Sequence, residues 1–219
     1  MDCEMNRNTL AVIAKEMVRI CEASEYQAPS GTRINLGEDI KKAVGGTVVY
    51  SEANLPANLA QRAPVETKIE VENETTFQGL ARLAPRGGHL GCLNFASART
   101  PRGGFLSGAQ AQEEALARAS ALYSCLRAAP EYYNRNRANR SAVYLDLLIF
   151  SPQVPFFRND AGNLLEKPVL ASVITAPAPN RDAVVQNEPH NLALVETALR
   201  GRAEMVLHIA QGLKQCCQV

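Results

Sequence analysis

Two adjacent glutamates, Glu113 and Glu114, follow a glycine-rich loop at the start of a predicted helix. The loop carries Gly103, Gly104 and Gly108. Because glycine has no Cβ, the backbone there can approach a bulky anion, and the unpaired N–H groups of a helix start attract phosphate. The pattern therefore predicts a cradle for a diphosphate beside two carboxylates. A structural interpretation competes with it, since acidic residues at a helix start and glycine-rich turns are both common.

The elements on either side of this loop are predicted from the spacing of apolar residues. A strand at 90–95 precedes the loop, and a helix from Gln112 to residue 126 carries an apolar stripe along one face. Upstream, a strand at 68–71 and a helix capped within 73–76 complete one βαβ unit. Ligands bind at the carboxyl ends of strands in open α/β sheets. We therefore expect the segments after Phe95, Phe150 and Thr175 to surround one crevice.

The rest of the chain is predicted to surround this unit. Helices are predicted at 9–21, 39–44 and 192–213, and strands at 34–36, 47–50, 142–150 and 170–175. The apolar run 142–150 is typical of a strand buried on both faces of a mainly parallel sheet, and Asp146 within it needs a polar partner. Residues 151–167 are predicted to form a loop, and residues 51–64 a loop or a weak helix.

Composition excludes several classes of protein. A chain of 219 residues with 46% hydrophobic content fits one α/β domain, and a net charge of +1 gives no reason to expect a nucleic-acid or membrane partner. Charged residues near the start stand where a secretory segment would be apolar, so we expect a cytoplasmic protein. The six cysteines form no CxxC pair and the three histidines no HExxH, so free thiols and no metal are expected.

The segment 127–140 has an unusual composition, with four arginines and two tyrosines close together. Cations and aromatic rings in this mixture would suit a single-stranded nucleic acid. The segment is short and lies between a predicted helix and a predicted strand, which favours a solvated connection.

Four blocks of the sequence resemble one family, in the same order. Residues 93–123 are similar to the signature of the bacterial (microbial)-type poly(ADP-ribose) glycohydrolases, in which a glycine triplet precedes Gln-Glu-Glu by a short loop. Residues 71–83, 144–168 and 173–180 resemble further segments of that family, a branch of the macrodomain superfamily. The resemblance implies a macrodomain-like α/β fold with a mixed, mainly parallel sheet flanked by helices, preceded by a helical N-terminal extension. It implies one domain over 1–219, with the extension at 1–64 and the core at 65–219.

The chain departs from the family pattern at three places. Arg102 stands where the family has the first glycine of its triplet, and Thr100 replaces the usual asparagine before the proline. The family continues from the last helix into another strand and a second glycine-rich loop that closes over the diphosphate. Gln218 and Val219 resemble the start of that strand, so we expect a C-terminally truncated core. An unpaired sheet edge would then favour self-association.

The resemblance also implies roles for individual residues. Glu114 would act as general acid and base in cleaving the ribose-ribose bond, and Glu113 would hold ribose hydroxyls. The remaining residues implied to bind the ligand are Asn94 at the distal ribose, Gly103, Gly104 and Phe105 at the diphosphate, Gln112 in a supporting role, and Glu74 at the adenine. For Glu74, a role limited to the helix dipole is an equal alternative. No cofactor is implied.

Three functions remain open on the sequence. The first is an exo-acting glycohydrolase that removes terminal ADP-ribose from poly(ADP-ribose) on modified proteins. The second is a hydrolase of mono-ADP-ribose linked to a protein side chain such as arginine. The third is a catalytically weak module that binds ADP-ribose, which the missing second loop would explain.

Overall fold

The protein is described by a computed structural model that covers residues 5–56, 67–101 and 103–212. The expectations for residues 57–64, for Arg102 and for the strand start at Gln218 lie outside these ranges.

Helices and strands are interspersed along the described chain. The helices are α1 (Arg7–Ala23), α2 (Gly37–Gly45), α3 (Thr76–Leu83), α4 (Gln112–Ala119), α5 (Leu122–Arg127), α6 (Pro130–Ala138), α7 (Arg181–Asn187) and α8 (Leu192–Gly212). The strands are β1 (Glu25–Gln27), β2 (Arg33–Asn35), β3 (Val48–Ser51), β4 (Gly91–Ala96), β5 (Leu147–Arg158) and β6 (Leu164–Pro177). The predicted helices at 9–21 and 39–44 are confirmed, as are the strands at 34–36, 47–50 and 90–95. The helix predicted at 192–213 is confirmed as far as residue 212, the last one described.

The main sheet has the strand order β3-β5-β6-β4, and strands β1 and β2 form a separate antiparallel pair. The predicted mixed sheet flanked by helices is confirmed, but the expectation that it is mainly parallel is wrong. Only β4 and β6 pair in parallel in the described part of the sheet, while β5 pairs antiparallel with both β3 and β6. The cause is the segment 151–167, predicted as a loop, which forms most of a long β5–β6 hairpin that a tight turn can close.

Two prolines made that hairpin difficult to predict. Pro152 and Pro155 lie within β5, where the pairing with β6 shifts register between Ser151 and Val154. Gln153 has φ 45° at this bulge, and its N–H binds the Ser172 hydroxyl. At a bulge a residue is left out of the ladder, so a proline there does not have to donate a ladder hydrogen bond. The strand can therefore continue past both prolines.

The region before β4 also differs from the prediction. Residues 67–72 form no strand, so the predicted βαβ unit lacks its first strand in the described chain. Helix α3 is present, and Thr75 caps it by accepting a hydrogen bond from the Gln78 N–H. The parallel pairing of β4 is instead made with β6.

Helices cover both faces of the main sheet. On one face, α4, α5 and α6 pack on β5 and β6 through a core whose largest buried side chains include Tyr132, Tyr133 and Phe156. On the other face, Met205 and Ile209 of α8 pack on Leu148 and other residues of the sheet. The result is a three-layer α/β arrangement.

The segment after α4 differs from the prediction twice. The helix predicted over 112–126 is divided at Ser120, which is extended (φ −146°, ψ 174°) and forms a bridge with Phe156. The predicted connection at 127–140 contains helix α6, and its Tyr132 and Tyr133 are buried. Burial of both tyrosines removes the aromatic surface that a single-stranded nucleic acid would require.

The expected polar partner of Asp146 is Arg202 of α8. The Arg202 guanidinium is buried, and its Nε donates to Asp146 Oδ1 at 2.8 Å. Its other nitrogens donate to the carbonyl oxygens of Val143, Tyr144 and Pro177. One side chain therefore joins α8 to the start of β5 and to the end of β6.

We expect Arg202→Met to lower the free energy of unfolding by about 2 to 3 kcal/mol, because several carbonyl groups would stay buried without a donor. Urea denaturation followed by circular dichroism measures this change. Arg200→Met is the matched control, since Arg200 lies on the same helix in an exposed pair with Glu196. An equal loss in both variants would contradict the role given to Arg202.

Candidate active site

The loop between β4 and α4 turns sharply directly after the strand. The Ser97 hydroxyl oxygen accepts hydrogen bonds from the N–H groups of Arg99 and Thr100, at 3.4 and 3.1 Å. Gly103 N–H then binds the Thr100 carbonyl oxygen at 3.2 Å, and Gly103 has φ +51°. These bonds direct the chain back toward the start of α4.

The second half of the loop is fixed to the core and to α1. The Phe105 side chain is fully buried, with its ring centroid 5.1 Å from that of Tyr123. Arg7 Nε donates to the Ser107 carbonyl oxygen at 2.9 Å. A Cβ at Gly108 would lie 2.1 Å from the Arg7 carbonyl oxygen, so only glycine fits at this contact. The loop is therefore held from both sides.

Gln112 joins the start of α4 to the outer edge of β4. Its Oε1 accepts from the Phe95 N–H at 2.8 Å, and its Nε2 donates to the Leu93 carbonyl oxygen at 2.9 Å. The side-chain amide thus makes the two hydrogen bonds that another strand would make at this edge. The supporting role predicted for Gln112 is consistent with this position.

Glu113 and Glu114 are buried at the first turn of α4, with 3% and 7% of their surface exposed. Glu113 Oε2 accepts from the Ser97 N–H at 2.9 Å, and Glu114 Oε1 accepts from the Gly104 N–H at 2.9 Å. These bonds run to the preceding loop, and the N-cap residue Ala111 makes no side-chain capping bond. Ordinary helix capping therefore does not account for the two glutamates.

The two carboxylates meet at Gly103. A Cβ built on Gly103 would lie 2.2 Å from Glu114 Oε1 and 3.5 Å from Glu113 Oε2. The second oxygen of Glu114, Oε2, is buried and has no hydrogen-bond partner in the described part of the chain. A buried carboxylate oxygen without a donor is costly unless a ligand or a proton satisfies it.

Arg118 is a site residue that the sequence reasoning missed. Its guanidinium is buried one turn after Glu114, and Nη1 donates to the Ala109 carbonyl oxygen. Burial lowers the pKa of Arg118, and the charge of Glu114 opposes that shift. The spacing of four residues places Arg118 on the same helix face as Glu114, and this is the signal that could have revealed it. Ser97 was missed too, because its contribution is a backbone N–H.

Asn94 is fully buried in β4, beside Thr175 of the neighbouring parallel strand. Its Nδ2 donates to the Thr175 hydroxyl oxygen at 3.1 Å. Its Oδ1 is buried and has no hydrogen-bond partner among the described residues. The contact with the distal ribose stays a prediction, and Oδ1 is the atom available for it.

Glu74 stands apart from the glutamate pair in its contacts. It precedes the Thr75 cap of α3, and both of its carboxylate oxygens accept hydrogen bonds from Arg82. The hydrogen bond from Arg82 is the main cause of the lowered pKa of Glu74. The strand end on which its adenine role was based is absent, since residues 67–72 form no strand. That role stays a prediction.

The predicted crevice needs one correction. Asn94 of β4 lies opposite Thr175 of β6, so the carboxyl ends of these two parallel strands meet as expected. Strand β5 runs antiparallel to β6, with Ile149 opposite Thr175. The segment after Phe150 therefore leads away from these ends, and the segment before Leu147 lies beside them instead.

The described residues give little support for metal-dependent catalysis or for catalysis by a cysteine nucleophile. No group of three or more His, Cys, Asp or Glu side chains suited to a metal ion occurs in residues 5–56, 67–101 and 103–212. Cys21, Cys92 and Cys125 are free thiols, and burial raises the pKa of Cys92 to about 12 and of Cys125 to about 11. These thiols stay protonated at neutral pH and are poor nucleophiles. None of the described helices is long and apolar enough to span a bilayer.

Comparisons with known proteins agree with this geometry. Residues 14–159 match the family described as microbial-type PARG, catalytic domain, where PARG denotes poly(ADP-ribose) glycohydrolase. The crystal structure of PARG from Thermomonospora curvata is 44% identical with a TM-score of 0.87, and the match covers 94% of this chain and 76% of that one. The same enzyme bound to the inhibitor ADP-HPD superposes with a TM-score of 0.86.

PARG from Deinococcus radiodurans in complex with ADP-ribose is 46% identical, with a TM-score of 0.73, over 80% of this chain and 72% of that one. Curated protein sequences gave no significant match. The match to the catalytic domain over residues 14–159, together with 44% identity across nearly the whole chain, shows that this protein belongs to the microbial-type poly(ADP-ribose) glycohydrolase family.

Proposed function

We propose that this protein releases ADP-ribose from poly(ADP-ribose) by exo-hydrolysis of the ribose-ribose O-glycosidic bond, with Glu114 as general acid and base. The observation that carries the proposal is the buried Glu113–Glu114 pair, in which Glu114 keeps one buried oxygen without a partner. Membership of the family and the relatives bound to ADP-ribose or to the inhibitor ADP-HPD support it.

Glu114 has the arrangement that proton transfer needs. The Gly104 N–H holds Oε1, which leaves Oε2 to donate a proton to the departing ribose oxygen. The C–O bond breaks as that oxygen takes the proton, and the ribose develops oxocarbenium character. The resulting carboxylate then removes a proton from a water molecule as this water attacks the ribose carbon.

Glu113 and Gln112 hold the reacting sugar in position. The Ser97 N–H fixes one oxygen of Glu113, so its carboxylate presents a defined acceptor to ribose hydroxyls. Gln112 fixes the start of α4 to β4, on which Asn94 would contact the distal ribose. Fixed positions of this kind are the main source of orientation effects in catalysis.

The diphosphate would lie along the glycine turn. Gly103 and Gly104 would let the diphosphate approach the backbone closely, since their own N–H groups already bind the Thr100 carbonyl oxygen and Glu114 Oε1. Phe105 would contact it through its backbone alone, because its ring is buried in the core. Glu74 at the adenine is the least supported assignment, since Arg82 already binds its carboxylate. Neither a metal nor a cofactor enters this mechanism.

We also infer a single domain over 1–219, in which the N-terminal part (1–64) and the core (65–219) share one site. The support is α1, whose Arg7 fastens the loop that carries Gly104 and Ser107. The substrate would be polymer attached to modified proteins in the cytoplasm. Self-association at the outer edge of β4 remains a proposal, and Gln112 already binds two backbone groups of that edge.

The test is a release assay with two substrates, radiolabelled poly(ADP-ribose) and a protein carrying arginine-linked mono-ADP-ribose. We expect free ADP-ribose to be released from the polymer. Release from the arginine-linked protein alone would instead support the mono-ADP-ribosyl hydrolase. Binding of ADP-ribose by calorimetry without release from either substrate would identify a module that binds but does not cleave.

A further inference from the structure

We propose that Arg137 and Arg140, at the C-terminal end of α6, bind the diphosphate of the polymer unit that remains when the terminal ADP-ribose is cleaved off. We call these two residues the arginine platform. The inference rests on the proposed function and extends it from the terminal unit to the rest of the chain. It makes polymer, rather than a single ADP-ribose, the substrate that this surface recognises.

The arginine platform is attached to the loop that holds the catalytic pair. Arg137 Nη1 donates to the Arg99 carbonyl oxygen at 2.8 Å, and the Arg99 guanidinium donates to the Arg140 carbonyl oxygen at 3.0 Å. Arg99 belongs to the turn that begins at Ser97, whose N–H binds Glu113. The platform therefore adjoins the side of the site where Glu113 would hold the sugar that is cut.

The positive charge of the platform is exposed and not neutralised. Arg137 and Arg140 are exposed, and neither forms a salt bridge within the described part of the chain. Glu188 binds the two residues that follow Arg140, accepting hydrogen bonds from the Ser141 hydroxyl and the Ala142 N–H, and it forms no salt bridge with a described arginine. An anion arriving from solvent would meet two free positive charges.

A structural explanation would be that these cations offset the negative end of the helix dipole. The carbonyl oxygens that directly follow the helix already have a cation, because Arg99 Nη2 lies 3.0 to 3.4 Å from those of residues 139, 140 and 141. The Arg137 side chain is directed away from the helix carbonyl groups: its Nη2 donates to Asn134 Oδ1 and its Nη1 to the Arg99 carbonyl oxygen of the loop. Its guanidinium has five N–H donors, so most remain for a ligand.

The chemistry of the surface favours phosphate over bases. Surfaces that bind single-stranded nucleic acid stack bases on aromatic rings. The two aromatic side chains of α6, Tyr132 and Tyr133, are 0% and 1% exposed. What the platform offers is guanidinium groups, which bind phosphate oxygens in pairs. Every unit of poly(ADP-ribose) carries a diphosphate, and the unit beside the cleaved bond brings one close to the site.

The test compares two double variants that lose the same charge. Arg137→Gln/Arg140→Gln removes the arginine platform. Arg135→Gln/Arg200→Gln is the control, since Arg135 is exposed on α6 about 200° around the helix from Arg137, and Arg200 is exposed on α8. The single variant Arg140→Gln controls for a disturbed loop: the Arg140 side chain makes no hydrogen bond among the described residues, so its removal should leave the loop in place.

For the platform variant we expect KM for long polymer to rise about fivefold to tenfold, with kcat and the Kd for free ADP-ribose unchanged. The slope of log binding constant against log salt should fall by about 1.4, at about 0.7 per lost phosphate contact. Arg140→Gln should show about half of each effect, and the control none.

An unchanged KM for polymer in the platform variant would overturn the inference, while the proposed function would stand. An equal rise of KM in the control variant would also overturn the inference, because the loss of net positive charge alone would then explain the effect. Tight binding of a single-stranded RNA that is lost in the platform variant would reassign the surface to nucleic acid. Absence of both ADP-ribose binding and polymer release in the wild-type protein would overturn the proposed function, and this inference with it.

Discussion

Glu114→Gln is expected to lower kcat for release of ADP-ribose from polymer by about 10²- to 10⁴-fold, the usual contribution of a general acid and base. Glutamine has almost the same size, and its amide oxygen can still accept the hydrogen bond from Gly104 N–H. It cannot give a proton to the leaving oxygen or take one from water. Affinity for ADP-ribose should therefore change by only a few-fold, and the variant should fold normally.

Single-turnover assays on labelled polymer, combined with calorimetry for ADP-ribose, measure these two effects separately. Glu131→Gln is the matched control, because Glu131 is an exposed glutamate at the first turn of α6. Its kcat should equal that of the wild-type protein. Undiminished release by Glu114→Gln would remove Glu114 from the mechanism and leave Glu113 as the remaining carboxylate.

Gly103→Ala is expected to lower kcat/KM by about 10²-fold. The added Cβ would lie 2.2 Å from Glu114 Oε1 and 3.0 Å from its Cδ, so the carboxylate must move. A displacement of about 1 Å in a catalytic group can cost about 10²-fold in rate. The positive φ of Gly103 adds backbone strain for any other residue. Steady-state kinetics on polymer measure the loss.

Gly87→Ala separates the two causes in that experiment. Gly87 has φ +75°, but no atom lies within 4 Å of the position of its Cβ. It therefore carries the strain without the clash, and its kcat/KM should stay close to that of the wild-type protein. If both variants retained full activity, the close packing of Gly103 against Glu114 would have no catalytic importance.

The spacing of apolar residues predicted individual helices and strands well, but it predicted poorly which strands pair with each other. Helix α8 and strand β4 were predicted because each carries a clear apolar period. The hairpin of β5 and β6 was missed because Pro152 and Pro155 indicate a loop, while a bulge lets the strand accommodate them. A strand at 68–71 was predicted from alternation alone, and none of the described residues pairs with it.

The candidate site was predictable in its chemistry but not in its contacts. The spacing of Gly103, Glu113 and Glu114 identified the loop and the helix start. It could not reveal that Ser97 N–H and Gly104 N–H bind the carboxylates, because every residue except proline has a backbone N–H and the sequence does not show which of them donates. Burial of Phe105 was equally hidden, since its contact with Tyr123 depends on how the loop folds onto α5.

The bond between Arg7 and the Ser107 carbonyl joins positions 100 residues apart in the chain. Closing a contact of such high sequence separation costs chain entropy, and contacts of this kind slow folding. The loop beside Glu114 therefore has this hydrogen bond only when the N-terminal helix is docked. We therefore expect enzymatic turnover to be a stricter measure of completed folding than helical content, because helices need only local contacts.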